Sequence, residues 1–303
     1  MLPQVLIIGA GEIGQSIGKI LGGKEVAVTY WDKNPQVLAD LGIKQADLPE
    51  LVPAAGFIFI CVPSWAVREA VVFINSYLTK EAIIVFLSKG MEERTGKMMN
   101  ELYQDLLPKK QPLILLGGMM LAEEIKEGQF GALVVAARDS RWGEAVAQLF
   151  AGTNILIEKT ADLPGVAIAG ILKNIYALAL GVSYGLGWGE NVRGYLVVRA
   201  LEEMKKIIKL LGGENEAALS LAGLGDLVAT GFSSYSKNHE VGRDLVEYGE
   251  TVIKSEGVVS LPSLVARLGN KYHDFPILRA LSYIITNHLP AEEAFLKLLT
   301  GGK

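Results

Sequence analysis

Lys173 stands in the stretch Gly170-Ile171-Leu172-Lys173-Asn174-Ile175-Tyr176-Ala177, where nearly every neighbour is apolar. A lysine in such a run lies on a largely buried helix. Burial disfavours the ammonium, so the side chain needs a carboxylate partner or a chemical task. A buried lysine with a softened pKa can give and take a proton. The competing reading is a lysine at a helix edge, whose apolar stem is covered while the ammonium reaches water. Asn174 adds a second polar group that needs a partner, which favours the site reading. Two more polar islands accompany it: Leu87-Ser88-Lys89-Gly90 at the end of an apolar run, and Gly223-Leu224-Gly225-Asp226 ahead of a polar stretch that closes with Ser236-Lys237-Asn238. The histidines, His239, His273 and His288, lie in polar or C-terminal stretches and read as ordinary surface or supporting residues. There is no HExxH, no clustered metal-ligand spacing and no GxSxG, so neither a catalytic metal nor a serine nucleophile is expected.

A different chemistry is written at the N-terminus. Gly9-Ala10-Gly11-Glu12-Ile13-Gly14 follows an apolar strand and opens a helix, the setting in which GxGxxG binds a dinucleotide. Gly9 permits the tight turn, Gly11 the approach of a pyrophosphate to the helix N-terminus, and Gly14 close packing of helix on strand. Asp32 closes the second strand, where a carboxylate accepts from a ribose 2′-hydroxyl and repels a 2′-phosphate; this favours NAD, with NADP still open because Lys33 is adjacent. A solvated turn aspartate is the other reading of Asp32. Pro63 breaks the third strand at the edge where such sheets bind ligands, and Arg68 is either a cleft residue or a surface charge.

These islands need elements to hold them. In the first half, strand-like runs at 4–9, 25–31, 56–62, 82–87, 113–117 and 132–137 alternate with helical patterns at 13–21, 34–41, 65–76, 94–102 and 121–127. A helix at 141–150 and a seventh strand at 153–158 complete the series. Such alternation implies parallel strands joined by right-handed crossovers. From 163 onward the pattern is helical, at 163–185, 191–211, 214–219, 241–247, 261–268, 275–286 and 290–299, with candidate functional loops at 231–238 and 254–261. The expected fold class is α/β: an N-terminal Rossmann domain, doubly wound with a mostly parallel sheet, over residues 1–160, and an all-α substrate and catalytic domain over 161–303.

Composition narrows the classes further. Of 303 residues, 50% are hydrophobic and 20% charged, enough apolar material for a large core, and the net charge of −4 offers no basic excess for nucleic acid. Cys61 is the only cysteine, which rules out an internal disulfide and fits core packing and a reducing, cytoplasmic setting. The N-terminal apolar run is too short for a signal or membrane segment, and 175–187 reads as a buried helix, so no membrane insertion is expected.

Taken together, the pieces resemble one family. Gly170–Met204 reads GILKNIYALALGVSYGLGWGENVRGYLVVRALEEM, and GAGEIG, VPSWAVRE, LSKGMEE, AEEIKEG, LAGLGDLVAT and SEGV occur in matching order and spacing. The chain resembles the bacterial NAD(P)-dependent glycerol-3-phosphate dehydrogenases over nearly its whole length. The resemblance implies hydride transfer between a nicotinamide and dihydroxyacetone phosphate or sn-glycerol 3-phosphate, supplying phospholipid synthesis, in a homodimer. It makes Lys173 the catalytic proton donor and acceptor, Lys89 a contact of substrate and cofactor, and Asp226 the aspartate beside them. It assigns Gly118, Asn174, Ser236, Lys237 and Asn238 to the substrate, and Ala122, Lys237 and Glu256 to the cofactor. Two departures fall around the substrate: Met119 and Met120 stand where the family has a proline and a polar residue, and Lys237 replaces an arginine. They keep two rivals in view. One is a related two-domain reductase for a less polar substrate, of the ketopantoate reductase or 3-hydroxy acid dehydrogenase kind; the other is an NAD-binding sensor without turnover.

Overall fold

The computed structural model describes residues 2–300. The elements run β1 (Gln4–Ile8), α1 (Glu12–Gly22), β2 (Ala27–Trp31), α2 (Pro35–Asp40), α3 (Leu48–Ala54), β3 (Phe57–Ile60), α4 (Val67–Asn75), β4 (Ile83–Phe86), α5 (Met99–Leu106), β5 (Leu113–Met119), α6 (Ala122–Lys126), β6 (Gly131–Ala137), α7 (Ser140–Leu149) and β7 (Ile155–Thr160). Helices follow: α8 (Leu163–Gly185), α9 (Glu190–Leu210), α10 (Asp226–Gly231), α11 (Lys237–Glu247), α12 (Glu256–Leu268), α13 (Pro276–Asn287) and α14 (Ala291–Thr300). The chain forms two compact units, residues up to Ser88 with Met99–Leu163, and Lys89–Met98 with the chain from Pro164 on. A single cut at 160/161 therefore omits an excursion. Instead of the expected helix at 94–102, residues 89–98 turn back on themselves through a bridge between Met91 and Met98, and the helix starts only at Met99.

The first unit is one seven-stranded sheet in the order β2-β1-β3-β4-β5-β6-β7. Strands buried on both faces must be apolar throughout, and β4 and β6 are buried at every position. The strands are parallel from β2 through β5 and again between β6 and β7, while β6 runs antiparallel to β5, so the sheet is mostly parallel, as expected. The reason for the one reversal is length: residues 120–130 hold only the five-residue α6, less than a parallel crossover needs. Gly118 sits in that antiparallel pair with φ +111°, and a Cβ there would lie 2.4 Å from the Ala132 carbonyl oxygen. The order reverses at β1, with β2 on one side and β3 on the other, and ligands of open α/β sheets bind at the carboxyl edge there.

The second unit is built around α8, which is apolar on all sides. By length and composition it could cross a bilayer, yet its residues are buried within this unit's core. Its close neighbour is α11. A Cβ at Gly181 would come within 2.2 Å of the His239 carbonyl oxygen, and one at Gly242 within 2.2 Å of the Leu178 carbonyl oxygen. Two glycines facing each other bring the backbones of α8 and α11 together and set Asn238 beside Asn174. Several boundaries differ from the sequence reading. Residues 237–240 are the first turn of α11, capped by the Ser236 hydroxyl, and most of 254–261 is the start of α12, capped by Ser255. Polar first turns hide apolar periodicity.

Candidate active site

Lys173 lies midway along α8 and is 7% exposed, so the snorkelling alternative does not hold. Its ammonium donates to Asp226 Oδ1 and to Thr230 Oγ1, each at 3.0 Å. The Thr230 hydroxyl donates to the same Asp226 oxygen at 3.0 Å. Lys89 Nζ takes the other oxygen, Oδ2, at 2.7 Å. One buried carboxylate thus bridges two ammonium groups. Burial lowers the Lys173 pKa to about 8; Asp226 opposes the drop, and the Lys89 charge adds to it. Burial alone would raise the Asp226 carboxyl, but the two lysines outweigh it and hold it below its ordinary value. The result is a lysine poised to exchange a proton near neutral pH beside a carboxylate that stays ionised.

The backbone supplies this geometry. Gly170, one turn before Lys173, leaves room for the Lys89 stem, whose Cγ lies 3.3 Å from where a Cβ would be. Asp226 follows a π-helical turn, Leu221–Gly225, a departure from regular helix that recurs at functional sites. Gly223 in that turn has no space for a side chain, since a Cβ would meet the Ala217 and Ala218 carbonyl oxygens at 2.4 Å. An amide relay fixes the rest: the Gly257 N–H donates to Asn238 Oδ1 at 3.0 Å, Asn238 Nδ2 to Asn174 Oδ1 at 2.9 Å, and Asn174 Nδ2 to the Lys89 carbonyl at 3.0 Å. Both asparagines are thereby oriented, and each keeps one N–H for another partner. Glu256, first residue of α12, is close enough for its charge to raise the Lys173 pKa. Ser236 caps α11, accepting from the His239 N–H at 3.3 Å; His239 is buried rather than at the surface, and Lys237 is exposed at the helix start with no acidic partner among the described residues.

In the first unit, Gly9 takes φ +95° and a Cβ on Gly14 would fall 2.0 Å from the Gly9 carbonyl oxygen. Nothing lies within 4 Å of a Cβ placed on Gly11, and no side chain caps α1, so its first N–H groups, at Glu12 and Ile13, have no side-chain acceptor from the cap. That is a cradle for an anion at a helix N-terminus. It continues into a pocket of about 270 Å³ lined by Gly9, Gly11, Asp32 and Pro63 among others. Asp32 is more than a turn aspartate: Oδ2 accepts from the Ala10 N–H at 2.8 Å and Oδ1 from the Asn34 N–H at 2.8 Å. It ties the glycine turn to the end of β2 and retains lone pairs for a ribose hydroxyl. The residues present fit a dinucleotide.

Against known proteins, residues 43–143 match the model of the NAD-dependent glycerol-3-phosphate dehydrogenase N-terminus, and residues 162–296 that of its C-terminus. A glycerol-3-phosphate dehydrogenase [NAD(P)+] of Chlorobium phaeobacteroides is 32% identical over 98% of this chain and 97% of its own. The chain belongs to the NAD-dependent glycerol-3-phosphate dehydrogenase family. Among solved dehydrogenases of this family, that of Coxiella burnetii superimposes with a TM-score of 0.88 at 25% identity, covering 98% of this chain and 99% of that one. A ketopantoate reductase of Ralstonia eutropha shares the fold at a TM-score of 0.63 and 20% identity, over 96% and 99% of the two chains.

Within this dehydrogenase family member, the residues expected to do chemistry fall into separate sets. Lys89, Lys173, Asn174, Asp226, Asn238 and Glu256 come together in the second unit, and Gly9, Gly11, Asp32 and Pro63 around the pocket of the first. Gly118 and Ala122 lie in β5 and at the start of α6, outside that pocket, and Met120 packs against the sheet core. Arg68 does not line the pocket either. Thr230 was not foreseen, although it stands four residues after Asp226, the spacing that places two side chains on one helix face. Among the described residues, no group of three or more His, Cys, Asp or Glu is arranged to hold a metal ion.

Proposed function

We propose that this chain interconverts dihydroxyacetone phosphate and sn-glycerol 3-phosphate, with Lys173 as proton donor and acceptor. The observation that carries the reading is the Asp226 carboxylate held between Lys173 and Lys89. NAD(P), when bound, would supply the hydride chemistry at the substrate C2 in either direction. In the reducing direction Lys173 passes its proton to the C2 oxygen as negative charge develops there. Lys89 lends its positive charge to that oxygen. Asp226 and Thr230 hold the Lys173 ammonium by two hydrogen bonds, which leaves one N–H for substrate. In the oxidising direction neutral Lys173 takes the hydroxyl proton. The start of α11, with Lys237 unpaired and exposed, has the charge and the free N–H groups to receive the phosphate.

Gly9, Gly11, Gly14 and Asp32 would hold the cofactor, with NAD preferred over NADP. A cytoplasmic homodimer completes the reading: the lone Cys61 suits a reducing compartment, and the exposed Tyr195 and Val198 of α9 offer apolar surface to a second copy. The test is NADH and NADPH oxidation by the purified protein with dihydroxyacetone phosphate, alongside Lys173→Ala. Turnover with the wild type and its loss in the variant, with cofactor binding retained, is the expected result. Unchanged turnover in the variant refutes the role of Lys173. Cofactor binding without turnover on a panel of phosphorylated and unphosphorylated ketones favours the sensor.

A further inference from the structure

Two charged side chains in the cofactor pocket remain without a task. Lys33 follows Asp32 at the end of β2, and Glu69 stands in the first turn of α4; both line the pocket, with Trp31 and Phe73 in edge-to-face contact nearby. Lys33 Nζ and Glu69 Oε1 are 2.6 Å apart. The pair therefore links two elements that both border the pocket beside the carboxylate suited to a ribose. A ribose with a free 2′-hydroxyl needs only an acceptor, and Asp32 has lone pairs to spare. A ribose bearing a 2′-phosphate brings about two negative charges toward Asp32 and needs a cation in compensation. Lys33 is the single cation among the pocket-lining residues, and Glu69 holds it.

We propose that Glu69 is a specificity-determining residue that enforces the preference for NAD by occupying Lys33. Asp32 repels the 2′-phosphate directly, and Glu69 withholds the one side chain that could offset that repulsion. The proposal rests on the reading that this pocket takes the adenosine end of the cofactor. Both side chains are partly exposed, 68% for Lys33 and 48% for Glu69, so solvent screens the pair and the effect is moderate.

The test uses the full-length protein with Glu69→Gln, Lys33→Ala and the double variant. Two readouts are taken: the ratio of kcat/KM for NADPH to that for NADH, and binding of 2′,5′-ADP against 5′-AMP by calorimetry. Glu69→Gln is expected to raise the ratio and the relative affinity for 2′,5′-ADP by about fivefold, with the gain shrinking as salt is added. Lys33→Ala should abolish the gain in the Glu69→Gln background and change little in the wild type, where Lys33 is already engaged. Equal effects of Lys33→Ala in both backgrounds, or a Glu69→Gln variant with an unchanged ratio and unchanged 2′,5′-ADP binding, overturn the proposal. Because binding needs no turnover, a protein inactive on dihydroxyacetone phosphate still tests the clasp. A wild type that binds neither fragment overturns the pocket reading and the proposal with it.

Discussion

Replacing Asp226 with asparagine removes the charge that keeps Lys173 protonated, and the consequence has a definite sign. The oxygen lies 3.0 Å from Nζ, where at an effective dielectric of about 20 a unit charge is worth about 5 kcal/mol. That bounds the shift at about 4 pK units; water entering the site and the slackening of the Lys89 contact reduce it, and a shift of about 2 units is the working figure. The Lys173 pKa then falls from about 8 to about 6. Reduction needs the ammonium, so its rate falls as pH rises through this pKa. In the wild type the limb is centred near pH 8; in Asp226→Asn it moves to about pH 6, and turnover at pH 7 drops about tenfold from protonation alone. The assay is kcat for dihydroxyacetone phosphate reduction between pH 5 and 10. Part of the loss in the variant should return on acidification, and Lys173→Ala should show no such limb. A variant slowed by the same factor at every pH would falsify the claim that Asp226 sets the Lys173 pKa.

Lys237→Ala should raise KM for dihydroxyacetone phosphate by about tenfold or more with little change in cofactor affinity; an unchanged KM removes Lys237 from the phosphate site. Glu203→Gln tests a buried carboxylate outside the active site. Glu203 on α9 accepts from the Ile277 and Leu278 N–H groups at 2.8 and 3.2 Å, capping α13, and from the Tyr176 hydroxyl at 2.8 Å. Loss of an acceptor there should cost about 1–3 kcal/mol in urea unfolding. Burial raises the Glu203 pKa to about 7, against the donors that favour the anion. Its contribution is therefore full below the ordinary carboxylate range and lost as pH rises through 7, so the wild type's advantage in Tm over Glu203→Gln should shrink from pH 5 to 7.5. Gly118→Ala, forced to φ +111° with a Cβ against the Ala132 carbonyl, should lower stability by about 2 kcal/mol or more; a wild-type Tm would show that β5 yields there.

The sequence was most readable where one principle dominates. Strands β3, β4 and β6 are apolar runs because both faces are buried, and α8 is apolar all round because it is the axis of its unit. Lys173 stood out against that background. Other features were hidden because local composition pointed elsewhere. Pro49 and Pro53 disguise α3, yet Pro49 stands in its first turn, where the missing N–H costs nothing. The glycines of Leu221–Gly225 show no helical pattern in the sequence, although they make the π-helical turn that delivers Asp226. The tie from Asp32 to Ala10 and the relay from Gly257 to Lys89 are long-range contacts between residues that carry no mutual pattern in sequence.

The excursion at 89–98 has a consequence for how the molecule is made. Lys89 and Asp226 are 137 residues apart, and the backbone N–H of Met91 is satisfied by the Ser260 hydroxyl, 169 residues on. As the chain leaves the ribosome, every strand of the sheet emerges before any of α9 to α14. The sheet can be completed while its hairpin has nothing to pack on, and that segment must wait through roughly half of translation for its partners. A nascent chain stalled after Leu163 would carry 89–98 as an accessible site for proteolysis, whereas a C-terminal fragment begun at Pro164 would hold Asp226 with only one of its two lysines. Exchanging the helical half between relatives at the apparent boundary therefore transplants an unfinished site, unless these ten residues travel with it.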